Sequence, residues 1–197
     1  MAKPKSNEKR EAIFQTGLKL FAENGYSKTT IKDIAQEAGV SFGTVFTYYE
    51  NKAALLRACV TEPLQEFRQH MLAAREELES MTFETFNNLV DRHIGLFMEK
   101  EQYLRVVQYV IGQPERFDEM EVLDEFADEF RSFTKSIVET GMDKGFLPES
   151  NPEEVSYGYL AFLMGMRLSF TDHSKSHQTS TFKNQALRLF GIQEVHQ

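Results

Sequence analysis

The chain has 197 residues with 41% hydrophobic content, enough to bury a sizeable core in one large or two small domains. It carries one cysteine, so an intramolecular disulfide is excluded, and no apolar run approaches the ~20 residues that a membrane span requires. The net charge of −8 argues at first against a nucleic-acid partner. That charge is unevenly spread. Residues 1–60 hold nine Lys/Arg and six Asp/Glu, net +3, whereas residues 61–197 hold thirteen and twenty-four, net −11. A basic end on an acidic body can still bind phosphates, because screening confines each field to about 10 Å. The opening MAKPKSNEKR lacks the apolar stretch of a secretory leader, and the lone cysteine suits a reducing compartment, so a cytoplasmic protein is expected.

In chain order the pattern is helical, with no strand-period segment, internal repeat or low-complexity tract. Residues 1–6 read as a basic arm. A first helix is predicted over about 7–23 on Ile13, Phe14, Leu18, Leu20 and Phe21, ended by Asn24 and Gly25. Thr30 is placed to N-cap a second at about 31–38, with Asp33 three residues on as a partial capping box. Ser41 is placed to cap a third at about 42–48. Asn51 is placed to cap a fourth, which starts at Lys52 and continues to Glu79; Pro63 inside it predicts a kink near Thr61.

Beyond that, Thr82 is placed to cap a fifth helix running to about Lys100. A sixth spans about 102–112 and stops before Pro114, and a seventh covers 117–144 until Gly145 to Pro148 breaks it. Asn151, Pro152, Glu153 and Glu154 make a strong eighth start, with a cap, proline at the first position and acids in the first turn. That helix is predicted to reach Thr171. A polar loop at 172–179 and a ninth helix at about 180–190 follow. The expected class is all-α, with about nine helices.

The stretch from Thr29 to Lys52 has helix-turn-helix spacing. Ile31 and Ile34 give an apolar stripe, and small Ala35 lets a second helix cross closely. Gly39 sits where the turn needs a residue tolerant of positive φ, and Val40 and Val45 face back into the motif's core. From Arg10 to about Leu56 the chain resembles the TetR family of bacterial transcriptional regulators. The matching residues include Ile13 and Phe14, Leu20 and Phe21, Gly25 and Tyr26, Thr29 to Ile31, Ile34 and Ala35, Ala38 to Ser41, Gly43 to Phe46, Tyr48 and Tyr49, Lys52, and Leu55 and Leu56. Two positions depart from the family: Gly17, where alanine is usual, and Phe42, where a polar or basic residue is common.

The resemblance implies a DNA-binding domain at 7–67, with its motif at about 30–49, and a ligand-binding and dimerisation domain at 68–197. It places Thr30, Tyr48 and Lys52 at backbone phosphates, and a lysine on a helix N-terminus does attract anions. The second helix of such a motif enters the major groove, which makes Phe42, Gly43, Thr44 and Thr47 the base-facing candidates. Phe42 can pack on a thymine methyl or cover the motif's own core. The alternative for all of these is a set of caps and a solvated helix face.

In the body, many of the phenylalanines sit at helical spacing, and Met98, Met120, Met164 and Met166 accompany them. They read as core, or as an adaptable apolar cavity. The ligand-facing candidates are Phe67, Phe86, Phe97, Tyr103, Tyr109, Phe126, Phe130 and Arg167, with Gln108 as a further polar anchor. The eighth helix is apolar nearly all round, so it needs cover on both sides. Its stripe of Gly158, Ala161 and Gly165, with Phe162, and then Phe182, Ala186, Leu189 and Phe190 on the ninth helix, is the expected dimer interface.

The acidic run from Glu115 to Glu129 reads as a solvated face. His173 and His177 have metal-ligand spacing if helical but lie in a Ser/Lys/Thr-rich loop with no third ligand nearby, so no metal is expected. No catalytic set or phosphate loop occurs, so neither enzyme activity nor a cofactor is expected. The expected partners are double-stranded operator DNA, a small-molecule effector and a second copy of the chain. The family reading is a repressor released from a near-palindromic operator by a small apolar effector. An activator of the same architecture, and an all-helical ligand-binding protein or enzyme without DNA binding, stand as alternatives.

Overall fold

A computed structural model describes residues 4–168 and 178–193, with side chains over 7–166 and 180–193. Among the described residues the fold is all-helical, with nine α-helices. They are α1 (Pro4–Lys28), α2 (Ile31–Glu37), α3 (Phe42–Tyr48), α4 (Lys52–Glu76), α5 (Phe83–Glu99), α6 (Glu101–Ile111), α7 (Met120–Asp143), α8 (Pro152–Leu168) and α9 (Gln178–Leu189). The helix starts follow the capping chemistry of the sequence. Thr30 and Asp33 close a reciprocal capping box on α2, and Ser41 accepts from the Thr44 backbone N–H. The Asn51 side chain accepts from Ala54, and Thr82 and Thr85 cap α5 reciprocally. Asn151 accepts from the N–H groups of Glu153 and Glu154.

Three boundaries shift. α4 stops at Glu76 rather than Glu79, and Leu78–Ser80 form a separate 3-10 turn. Pro63 lies inside α4, where the sequence places it. α7 begins at Met120, not at 117. α1 is interrupted at Gly25, whose φ of 73° and ψ of 166° kink the chain where Asn24 and Gly25 were expected to end the helix. A Cβ at Gly25 would meet the Tyr109 ring at 2.9 Å as well as the unfavourable φ, so both backbone and packing require glycine. Gly17 has a different cause. A Cβ there would lie 3.0 Å from Leu55 Cδ2, so the residue that departs from the family lets α1 and α4 pack closely.

The chain divides into two compact units, residues 1–66 with 102–122, and residues 67–101 with 123–197. The division crosses the expected boundary near 67 and differs from it in one respect: α6 and the loop after it belong with the N-terminal unit. The core of that unit contains Ile13, Phe14, Phe21, Ile34, Val45, Leu55 and Leu56, joined by Leu104, Val106 and Val110 of α6. Val40, expected in that core, is only half-buried. Buried Cys59 has its thiol pushed up by desolvation, which suits an inert filler. The second unit is built on aromatic rings of α4, α5, α7, α8 and α9, with α9 packed on α5 and α8.

Candidate functional site

The helix-turn-helix presents a helix whose outer face the rest of the unit does not cover. On α3, Val45 is fully buried, whereas Phe42 is 56% and Phe46 43% exposed. The two rings meet edge-on with centroids 5.1 Å apart. A Cβ at Gly43 would meet nothing within 4 Å, so no neighbour among the described residues explains that glycine. Thr47 is exposed, and its hydroxyl donates to the Gly43 carbonyl at 3.5 Å. The hydroxyls of Thr44 and Ser41 are 2.7 Å apart. Phe42 therefore does not cover the motif's own core. Phe46 was not singled out from sequence, although its place four residues after Phe42 puts it on the same helical face.

Of the three phosphate candidates, Thr30 is exposed, and its hydroxyl donates to Asp33 at 2.7 Å. That bond and the cap hold the Asp33 carboxyl below its usual pKa. Tyr48 is half-buried. Lys52 has a structural task as well. Its Nζ donates to the carbonyls of Tyr26 at 2.7 Å and Thr29 at 2.8 Å, and lies 4.2 Å from the Tyr26 ring centroid. Burial, with Arg116 nearby, pulls the Lys52 pKa down. The ammonium thus ties the start of α4 to the end of α1 and keeps one N–H for another acceptor.

Around the same ring lies a cluster the sequence did not reveal. Phe117 meets Tyr26 edge-on at 5.6 Å. The Arg116 guanidinium sits 5.3 Å over Phe117 and donates to the Ser27 hydroxyl at 2.8 Å. Tyr109 packs on Phe117 at 5.8 Å and fills the space beside Gly25. Hydrogen bonds with Gln113 and Ser27 hold the Tyr109 hydroxyl below its ordinary pKa. Buried Thr29 donates to the carbonyls of Leu20 at 3.1 Å and Gly25 at 2.9 Å. Inside one unit, α6 and its following loop thus seat on the elements that carry α2 and α3.

The expected ligand residues do not form one group. Phe67, Phe97, Phe126 and Phe130 are buried in the second unit and pack on one another edge-on or tilted, with Phe67 and Phe97 centroids 5.0 Å apart. Phe86 belongs to an adjoining set with Phe146 and Phe190. Tyr103 and Tyr109 lie in the other unit, where the Tyr103 hydroxyl donates to the Val60 carbonyl at 3.2 Å. Gln108 is exposed. The Arg167 side chain and residues His173 and His177 lie outside the described residues. Three open surface depressions are lined by other residues, one of them by Arg68, Met71, Leu72, Arg75 and Glu129.

One buried polar pair in the second unit was missed. His93 is fully enclosed, with Nδ1 3.1 Å from the Tyr159 hydroxyl, and Phe130 and Phe133 beside it. Its Nε2 has no hydrogen-bond partner among the described residues. Desolvation chiefly, with Arg92 and His70, lowers its pKa to about 3. The spacing of Phe86, Val90, His93 and Phe97 would have placed it on the apolar face.

The expected dimer residues also separate. Ala186 and Phe190 are buried within the chain, Phe190 against Phe86 and Tyr159, and Phe182 is buried with its ring against Phe162. These three are core, because α9 is needed to cover α5 and α8. Left uncovered are Ala161 and Leu189, with half-buried Gly158 and Gly165. A Cβ at Gly165 would meet nothing within 4 Å. Among the described residues, α8 is therefore covered on one side only.

Residues 13–59 match the family model described as bacterial regulatory proteins, tetR family. Over 50 residues the chain is 46% identical to the HTH-type transcriptional regulator YerO of Bacillus subtilis, which spans 25% of this chain and only 17% of that protein. Over 175 residues it is 25% identical to YhgD, an HTH-type transcriptional regulator of the same organism, covering 87% of each chain. Among solved structures, a transcriptional regulator from Saccharomonospora viridis in complex with choline superposes with a TM-score of 0.74 at 17% identity, covering 97% of this chain and 100% of that one.

Proposed function

We propose that this chain, which belongs to the TetR family of bacterial regulatory proteins, is a repressor that leaves a near-palindromic operator when a small, mainly apolar effector binds its body. The observation that carries the reading is the uncovered face of α3. Gly43 costs the helix up to about 1 kcal/mol relative to alanine, and no neighbour among the described residues requires it. Close approach of another molecule's backbone accounts for that cost. Exposed Phe42 and Phe46 and the Thr47 hydroxyl lie on the same short helix. The test is selection of genomic fragments by the purified protein at low salt. The expected product is a two-fold site with half-sites one helical turn apart. Failure to retrieve any site overturns the reading.

For the effector, the aromatic core around His93 is the favoured seat, because a buried imidazole with a spare nitrogen can orient a polar group of an otherwise apolar guest. Such a ligand should lower operator affinity by a coupling of about 1–3 kcal/mol. A thermal-shift screen followed by operator titration with each hit checks this. Hits that stabilise the protein but leave operator binding unchanged refute the coupling. Hits that are mostly small and highly charged refute the pocket chemistry.

The dimer is proposed to form through Gly158, Ala161, Gly165 and Leu189. Gly165→Leu should hold two copies of α8 apart without straining the protomer, since space is open at that position. Sedimentation decides it. A wild-type monomer at micromolar concentration overturns the interface, as does a folded variant that dimerises normally.

A further inference from the structure

The composition of α3 is unusual for a helix that reads base edges. Its seven residues, Phe42 to Tyr48, contain no Arg, Lys, Asn, Gln, Asp or Glu. The groups that read guanine or adenine by bidentate hydrogen bonds, or accept from cytosine, are therefore absent from it. It offers instead the threonine hydroxyls and two large exposed rings.

Those rings form one block. Phe42 and Phe46 are a turn apart on one face, and their edge-on packing at 5.1 Å sets each ring by the other. Val45, between them in sequence, is fully buried and anchors the opposite side of the helix. Beside the block, Gly43 leaves the helix backbone unshielded. Positive charge comes from elsewhere in the same unit, where Lys28 and Lys32 flank the start of α2. Attraction to phosphate and choice of base are thus supplied by different elements.

We propose that Phe42 and Phe46 recognise thymine, packing on the 5-methyl groups that thymines present in the major groove. The inference rests on the operator-binding reading and adds to it the chemistry of the bases read. Each half-site should contain one or two thymines whose methyl groups, rather than hydrogen-bonding edges, set affinity.

The experiment replaces each thymine of the selected operator by deoxyuridine, which keeps base pairing and removes only the methyl. At the contacted positions affinity should fall about fourfold per methyl, from ~0.8 kcal/mol for a buried methyl-sized group at 1.4 kcal/mol per tenfold. In each of the Phe42→Ala and Phe46→Ala proteins, which alter exposed positions, the deoxyuridine penalty should disappear at the methyl that the removed ring contacts. An operator fully substituted with deoxyuridine that binds wild-type protein as tightly as the thymine form overturns the proposal while leaving operator binding intact. Retention of every methyl effect by both alanine variants overturns it too. Retrieval of no operator at all overturns the functional reading on which it stands. Wild-type binding to the substituted DNA needs no variant, so a poorly folded mutant does not blunt the test.

Discussion

Lys52→Met should destabilise the N-terminal unit by about 2–3 kcal/mol and weaken operator binding indirectly. A hydrogen bond from a charged donor contributes roughly 1.5–3 kcal/mol, and Lys52 makes two, to the carbonyls of Tyr26 and Thr29. Half-burial discounts that sum, and the lowered pKa of Lys52 records a desolvation cost that the mutation removes. Methionine keeps much of the aliphatic stem, so the loss falls on the ammonium. Lys52→Arg should not rescue stability, because a planar guanidinium must place its donors in a fixed fork. Urea unfolding, read beside the salt dependence of operator binding, separates the roles. If Lys52 serves only as a phosphate cation, Lys52→Met leaves stability unchanged and the salt slope falls by about one. Arginine would then substitute for it. That outcome refutes the tethering role.

The Lys52 pair shows what was legible in the sequence. Asn51 as a cap and Lys52 as the first helical residue follow from local chemistry, and both hold. The same is true of Thr30, Ser41, Thr82 and Asn151, because a cap involves residues within three positions of each other. What Lys52 touches was not legible. Tyr26 is 26 residues away in sequence, and Arg116 and Phe117 come back to the same ring from the loop after α6.

For the same reason the assignment of α6 to the N-terminal unit escaped a boundary drawn from motifs. Periodicity identified the buried faces correctly at Phe97 and Phe130 but could not say whether rings enclose a guest or one another. On α9 it marked Phe182, Ala186 and Phe190 as one apolar face without telling which partner covers them. Here α5 and α8 of the same chain do. Gly17 stood out in the sequence only as a departure from the family, and the close approach of Leu55 gives it a packing reason.

His93 should make the body sensitive to mild acid. Its pKa in the folded chain is about 3, against 6.5 for the free side chain. The unfolded chain therefore takes up a proton below about pH 6.5 that the folded chain refuses. Stability is complete above that pH and declines as pH falls toward 3, because the unfolded state binds more protons there. Between pH 7.5 and pH 5 this one group should remove about 2 kcal/mol, from 1.36 kcal/mol per unit over the interval below 6.5.

The physical cause is enclosure by Phe130, Phe133 and Tyr159, with Arg92 and His70 as smaller contributions in the same direction. Urea unfolding from pH 5 to 7.5 should give a shallower pH dependence for His93→Leu than for wild type, with the difference opening below about pH 6.5. Carboxylates titrate in both proteins and cancel in the comparison. Parallel profiles would overturn the assignment. A second measurement does not need the variant: the His93 imidazole resonances of the folded protein should not titrate between pH 7.5 and 5. An imidazole that protonates in that window would mean that Nε2 reaches water, and the site would then suit a charged guest rather than an apolar one.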